Sequence, residues 1–365
     1  MSAAHAPLLV QALREPERLR SLDEMQWTLL VRQARRSDLL ARVACLADEA
    51  AARPHMAGQA SAHLDDILVL AAAQAAEVRR EVEFLARTLA PLGIPVTLMK
   101  GAAYLMSGRR AALGRLFSDI DIMVPKARIG EVEAALMLDG WAGSHHTPYD
   151  QRYYRQWMHE IPPMQHIQRG TTLDVHHAIL PETARLKPSS DLILTSAIAL
   201  GDDKRVQVLS PHDMVLHSMT HLFHNDDLRH GLRDLSDLDL LLREFNGTRA
   251  LWPGLVGRAK QLDLTRPLFY GLRYTQQFFA TPVPEQTLAA LAPHGPSQPL
   301  RGLMDLIWSR GLAPQHATAA PSGMAPALFA LYVRAHWLRM PPVLLARHLT
   351  TKAFLIPRDK PASTR

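Results

Sequence analysis

Ser118-Asp119-Ile120-Asp121-Ile122-Met123-Val124 sets two acids one residue apart inside an apolar run. In an extended strand residues i and i+2 share a face, so Asp119 and Asp121 project together while Ile120 and Ile122 point into a core. Two like charges at that range raise each other's pKa unless a cation lies between them. A divalent metal answers the demand. A solvated edge strand or a turn could also carry a D-x-D pair, but Leu116-Phe117 before it and Ile122-Met123-Val124 within it read as an interior strand, where isolated charges are rarely kept without a partner.

Upstream, Ile94-Pro95-Val96-Thr97-Leu98-Met99-Lys100-Gly101-Ala102-Ala103 reads as an apolar strand that passes through Lys-Gly into a helix. A glycine there lets backbone approach a ligand, a helix start offers unpaired N–H groups to phosphate, and Lys100 adds a compact positive charge. A plain strand-to-helix turn would look the same. Downstream, after the turn signal Gln168-Arg169-Gly170-Thr171, the run Leu173-Asp174-Val175-His176-His177-Ala178-Ile179 is a second strand with an acid at an alternating position. His176 shares the face of Asp174, and His177 points away.

In this order, Lys100-Gly101, Arg115, Ser118-Asp119-Ile120-Asp121, His159-Glu160-Ile161-Pro162 and Leu173-Asp174-Val175-His176 resemble the nucleotidyltransferase superfamily, and more narrowly its poorly characterised bacterial branch. The match spans residues 94 to 180, with weaker similarity from Pro211 to Leu242. It implies an α+β fold, a mixed β-sheet core between N- and C-terminal helical regions, and transfer of a nucleoside monophosphate from an NTP, most simply ATP, to an acceptor with release of pyrophosphate. Mg²⁺ (or Mn²⁺) is the implied cofactor. Asp119 and Asp121 suit its preference for oxygen ligands, and the resemblance makes Asp174 the third carboxylate, on the acceptor side. The chain departs from the family where Ala102 replaces the usual Ser or Gly after the turn glycine, and the acids follow at a longer spacing. Phosphate contacts then fall to Lys100, the backbone at Gly101, Arg115 and Ser118. The missing hydroxyl leaves open a catalytically inactive NTP-binding module, and structural acids in a helical interaction protein are the further alternative.

Pro211 to His224 starts as a helix and carries His217, His221 and His224 at i, i+4 and i+7. That spacing can bind a transition metal, but no H-E-x-x-H supports a hydrolytic zinc site. A polar stripe facing the cleft or another helix is the preferred reading, with His221 as a nucleotide contact. In Leu232 to Leu242 the resemblance favours Asp237 as a cleft-facing residue. His176 and His159 are candidates for orienting the acceptor or supporting a carboxylate.

The chain has 365 residues, 47% of them hydrophobic and 21% charged, which excludes wholesale disorder. One cysteine, Cys45, excludes an intramolecular disulfide or a cysteine zinc cluster. No apolar run reaches the roughly 18 to 20 residues of a membrane span, and no leader-like pattern is visible, so cytoplasmic residence is expected. A net charge of +6 suggests anionic partners. Aromatic residues are only 6% of the chain and are not interleaved with the basic ones, so nucleic acid is not the favoured acceptor over a small molecule, peptide or protein. From Arg334 to Arg365 seven basic residues face one acid, Asp359, which could meet an acidic partner. Proline and glycine breaks divide the chain into an N-terminal helical region (1–91), the α/β core (92–182), a C-terminal helical domain (183–330) and a basic helix and tail (331–365).

Overall fold

The computed structural model describes residues 6–56, 58–143, 148–202, 204–247, 251–341 and 343–346. Seven short strands form one mixed sheet: β1 (Val96–Leu98), β2 (Ile120–Met123), β3 (Trp141–Gly143), β4 (Met164–His166), β5 (Thr172–His176), β6 (Ile198–Ala199) and β7 (Val206–Val208). Their order is β3-β4-β5-β2-β1-β7-β6. The acidic strand β2 is therefore central, and all four of its residues are buried. It pairs in parallel with β5 and antiparallel with β1. A central strand buried on both faces needs a continuous apolar run, which explains why Asp121 lies within Ile120, Ile122 and Met123 and why its charge must be met locally.

Helices surround the sheet. Before it come α1 (Leu8–Arg14), α2 (Glu24–Arg36), α3 (Leu40–Glu49) and the long α4 (Gly58–Leu89); within it lie α5 (Lys100–Met106), α6 (Ile129–Leu138), α7 (Pro148–Trp157) and α8 (Ser190–Thr195). After it follow α9 (Pro211–His224), α10 (Gly231–Phe245), α11 (Leu251–Gln261), α12 (Thr265–Phe279), α13 (Glu285–Leu291), α14 (Gln298–Gly311) and α15 (Met324–Arg339). The expected α+β architecture, a mixed sheet between helical regions, is what the chain adopts. Among the described residues no helix is long and apolar enough to cross a membrane.

The sheet does not close at residue 182. Strand β7 joins β1 in parallel and β6 caps that edge, so the segment expected to begin a separate helical domain first completes the sheet. One continuous cluster of buried side chains runs from Leu9 through β2 to Leu331. The basic C-terminal stretch also divides differently. Arg334 donates to the Phe223 carbonyl at 2.7 Å and lies over the Tyr270 and Trp308 rings, and Arg339 pairs with Asp226 at 2.9 Å. These two arginines hold α15 to the body and are not offered to a partner. Arg347 to Arg365 lie outside the described residues.

Candidate active site

The register of the central strands builds the acidic centre. Asp121 on β2 stands directly opposite Asp174 on β5, and Asp119 lies just before β2 at the mouth of the same cleft. Lys100 enters from the end of β1. It has φ of +45°, a left-handed conformation rare for a side-chain-bearing residue, and from there its Nζ lies 2.6 Å from Asp121 Oδ1. His176, two residues after Asp174, brings Nε2 to 3.0 Å from the same oxygen, and its Nδ1 lies 3.2 Å from Glu160 Oε2.

These contacts separate the acids electrostatically. Burial works against the charge on Asp121, but Lys100 and then His176 outweigh it and hold its carboxyl well below the usual range. Asp174 has no such cation: burial first, then the charge of Asp121, push its carboxyl up to about 7. Its Oδ1 is buried without a hydrogen-bond partner among the described residues. Asp119 is also raised, by burial and then by Asp121, although Ser118 donates to it at 3.0 Å. Burial disfavours the charge of Lys100 and of His176, yet the acids around each raise both above their ordinary values.

A divalent cation fits this donor set. One atom each from Asp121, Asp174 and His176 lies within 4.8 Å of the others, a group that Asp119 does not join; Asp174 Oδ1 is orphaned, and Asp119 lines the cleft in front. Crowded carboxylates that raise one another are relieved by such an ion.

The cleft in front of the acids has a volume of about 200 Å³. Lys100, Gly101, Arg115, Ser118, His221 and Asp237 all line it, so the residues expected to touch a nucleotide are brought together. Their roles differ in detail. Asp237 is buried and engaged, by Arg115 on one side and by Arg42 at 2.8 Å on the other. It fixes Arg115 at the cleft more than it offers a free carboxylate. Gly101 is needed for the same reason: a Cβ there would meet Arg115 Nε at 2.7 Å and Phe117 at 3.3 Å. Ala102 is buried in the core and does not line the cleft, so a serine at this position would not present its hydroxyl to a phosphate.

His221 faces the cleft and is kept neutral, by burial and then by Lys100. His217 is buried behind it, pushed down to about 3 mainly by burial. His224 is turned into the helical body, where its Nδ1 lies 3.1 Å from the Thr220 carbonyl, and burial and Arg334 push it down to about 3. Among the described residues the three form no group whose atoms could share an ion. His159 packs on His176 with ring centroids 5.2 Å apart and is held well below its ordinary value by burial and then by His176.

Two functional supports, Arg42 and Gly114, carry no motif. Arg42, on α3, is almost wholly buried; besides Asp237 it donates to the Leu113 and Ala111 carbonyls at 3.2 and 2.7 Å and to Ser236 Oγ at 3.0 Å. It ties the N-terminal helices to the Arg115 loop and α10. Gly114 makes this approach possible, with φ of +59° and no room for a Cβ against the Ala41 and Arg42 backbone. Glu160 gives His176 its second acidic neighbour.

Acids on the central strands of a mixed sheet therefore stand beside Lys100 and Arg115 in one cleft, whose lining mixes carboxylates with these cations. The chain belongs to a nucleotidyltransferase family: the family model described as "Uncharacterised nucleotidyltransferase" matches residues 23–280, more than half of the chain. That span takes in Arg42, the whole sheet and helices α9 and α10. Comparison with the curated proteins and with the solved structures gave no match.

Proposed function

We propose that the chain moves a nucleoside monophosphate from an NTP, ATP in the simplest case, to an acceptor hydroxyl and releases pyrophosphate. The observation that carries this reading is the register of Asp121 against Asp174, with Asp119 at the cleft and Lys100 on Asp121. Asp119 and Asp121 would hold Mg²⁺ or Mn²⁺, joined by Asp174 on the acceptor side. Bound there, the ion supplies charge neutralisation for the triphosphate and the leaving pyrophosphate. Lys100 and Arg115 bind phosphate oxygens, and their charges are secured by Asp121 and Asp237. Neutral His221 contacts the nucleoside without adding charge.

In the transfer, the acceptor oxygen forms a bond to the α-phosphorus as the bond to the β-phosphate bridging oxygen breaks. Pyrophosphate leaves, and the hydroxyl proton passes to Asp174, the carboxylate assigned to the acceptor side. His176, flanked by Glu160 and packed on His159, orients Asp121 beside it. Ala102 does not argue for a module without turnover, because the residue stands outside the cleft. The test follows label from α-labelled ATP together with pyrophosphate release, with Mg²⁺ and after chelation. Transfer that depends on the ion and is lost in Asp119→Ala supports the reading, and transfer unchanged in that variant sinks it.

A further inference from the structure

Beside the catalytic cleft lies a second concavity, of about 440 Å³, that the proposed reaction does not use. This is within the size of small-molecule sites, about 300 to 1,000 Å³. Arg32, Arg35 and Arg36 line it from the end of α2, and Arg229, His230 and His316 from other segments. The single acid in its lining is Asp38. Arg32, Arg35 and Arg36 are exposed and have no ion-pair partner among the described residues, whereas Arg229 is paired with Asp227.

Arginines at i, i+3 and i+4 of one helix are neighbours and repel. The helix dipole favours cations in a last turn, but it does not explain why Arg229 and His316 line the same concavity from elsewhere in the chain. An anion explains both. Arginine's planar fork matches phosphate oxygens in pairs. Apart from imidazoles the lining has no aromatic ring, so the groove can hold phosphates but gives nucleic-acid bases little to stack on.

The groove adjoins the cleft. His230 lines both, and Asp38 sits at the junction, 2.8 Å from His230 Nδ1 and 3.9 Å from Arg233, which faces the cleft. We infer that the groove of Arg32, Arg35, Arg36 and Arg229 binds the phosphate group of the acceptor, a small phosphorylated molecule whose hydroxyl reaches the acids. This rests on the transferase reading for the word acceptor, though not for the anion site itself.

Two measurements separate those claims. The first is calorimetric titration of the full chain with inorganic tripolyphosphate in a chelator, where ion-dependent binding in the cleft is silent. Binding is expected to survive Asp119→Ala and to weaken by roughly ten-fold or more in the double variant Arg32→Ser and Arg35→Ser, since each charge-assisted contact is substantial. Both changes lie on the surface, and an unchanged melting temperature verifies the fold. No binding, or binding indifferent to the double variant, overturns the site. The second measurement follows label from α-labelled ATP into a small-molecule extract, untreated or exposed beforehand to an immobilised phosphatase that is then removed. Labelling only of the untreated extract, lost in the double variant, is expected. Equal labelling of both extracts, or a product that ribonuclease degrades, overturns the small phosphorylated acceptor. Labelling of neither counts against the transferase reading, and the titration then decides the groove alone.

Discussion

Asp121 and Asp174 face each other across two parallel strands, yet their environments are opposite. Asp121 carries Lys100 at 2.6 Å and His176 at 3.0 Å, while Asp174 Oδ1 has no hydrogen-bond partner among the described residues. One carboxylate is held ionised and the other pushed up to about 7. Carboxylate pairs whose environments drive them apart in this way divide acid and base roles.

This division has a consequence for stability. Between about pH 4, where an unfolded Asp titrates, and about 7, where the folded Asp174 does, the folded chain keeps a proton that the unfolded chain has lost. Stability from this group is therefore full below the lower value and falls as pH rises through the window. Asp174→Asn should flatten that fall and stabilise the ion-free chain at pH 8 by on the order of 2 kcal/mol, measured by denaturant unfolding, while abolishing transfer. An unchanged pH dependence would show that Asp174 is not the titrating group.

Mg²⁺ should show the matching asymmetry. A ligand that binds only the folded state raises its stability with concentration, and it competes with the proton on Asp174. The melting temperature should rise more with Mg²⁺ at pH 8 than at pH 6. An equal rise at both, or none, would remove Asp174 from the ligand set.

Asp237 sits between two guanidinium groups, those of Arg42 and Arg115. Removing one partner from a buried ion pair leaves charge without compensation, at about 3 to 5 kcal/mol. Asp237→Asn should lose stability on that scale with an unchanged denaturant slope. Asp234→Asn, whose side chain is more exposed, should lose less. If the two variants unfold alike, the Arg42–Asp237–Arg115 network does not hold the cleft together.

The glycines separate folding from binding. Gly114→Ala places a Cβ at positive φ against the backbone of Ala41 and Arg42, which cannot give way, and should cost at least about 2 kcal/mol. Gly101→Ala drives a Cβ against Phe117 and against Arg115, which Asp237 holds, and should weaken NTP binding at a smaller cost in stability than Gly114→Ala, because side chains and not backbone must shift. Ala102→Ser should leave NTP affinity unchanged because the residue does not line the cleft. A gain of affinity there would restore the missing hydroxyl as the relevant defect.

Much of the site was legible because it follows local rules. The alternation around Asp119, Asp121 and Asp174 marks strands, the apolar flanks mark them as interior, and Lys100-Gly101 marks a strand that becomes a helix. The strands β3, β4, β6 and β7 are two or three residues long, too short to show a period, and their pairing is set by distant partners. Ordinary surface-looking residues carried other parts. Arg42 lies in an amphipathic helix and acquires its role only when the Arg115 loop folds against it, and Gly114 reads as a turn until Ala41 and Arg42 are beside it. Asp237 has the spacing of a solvated helix face, but α10 turns that face inward. The arginines of α2 look like a solvated helix end until Arg229 and His316 are placed beside them.

Calorimetric titration of ATP into the full chain, with Mg²⁺ and after its removal, tests the central claim most directly when repeated on Asp119→Asn. Asp119 lies at the rim of the acidic centre, so its amide should leave the fold intact while reducing transfer by roughly 10²-fold or more, the scale of lost ion-mediated charge stabilisation. The predicted result is ATP binding that requires Mg²⁺ in the native chain and is lost in the variant. ATP binding that is equally tight without Mg²⁺, or unaltered in Asp119→Asn, would contradict the assignment of the β2 acids to a metal-dependent nucleotidyl transfer.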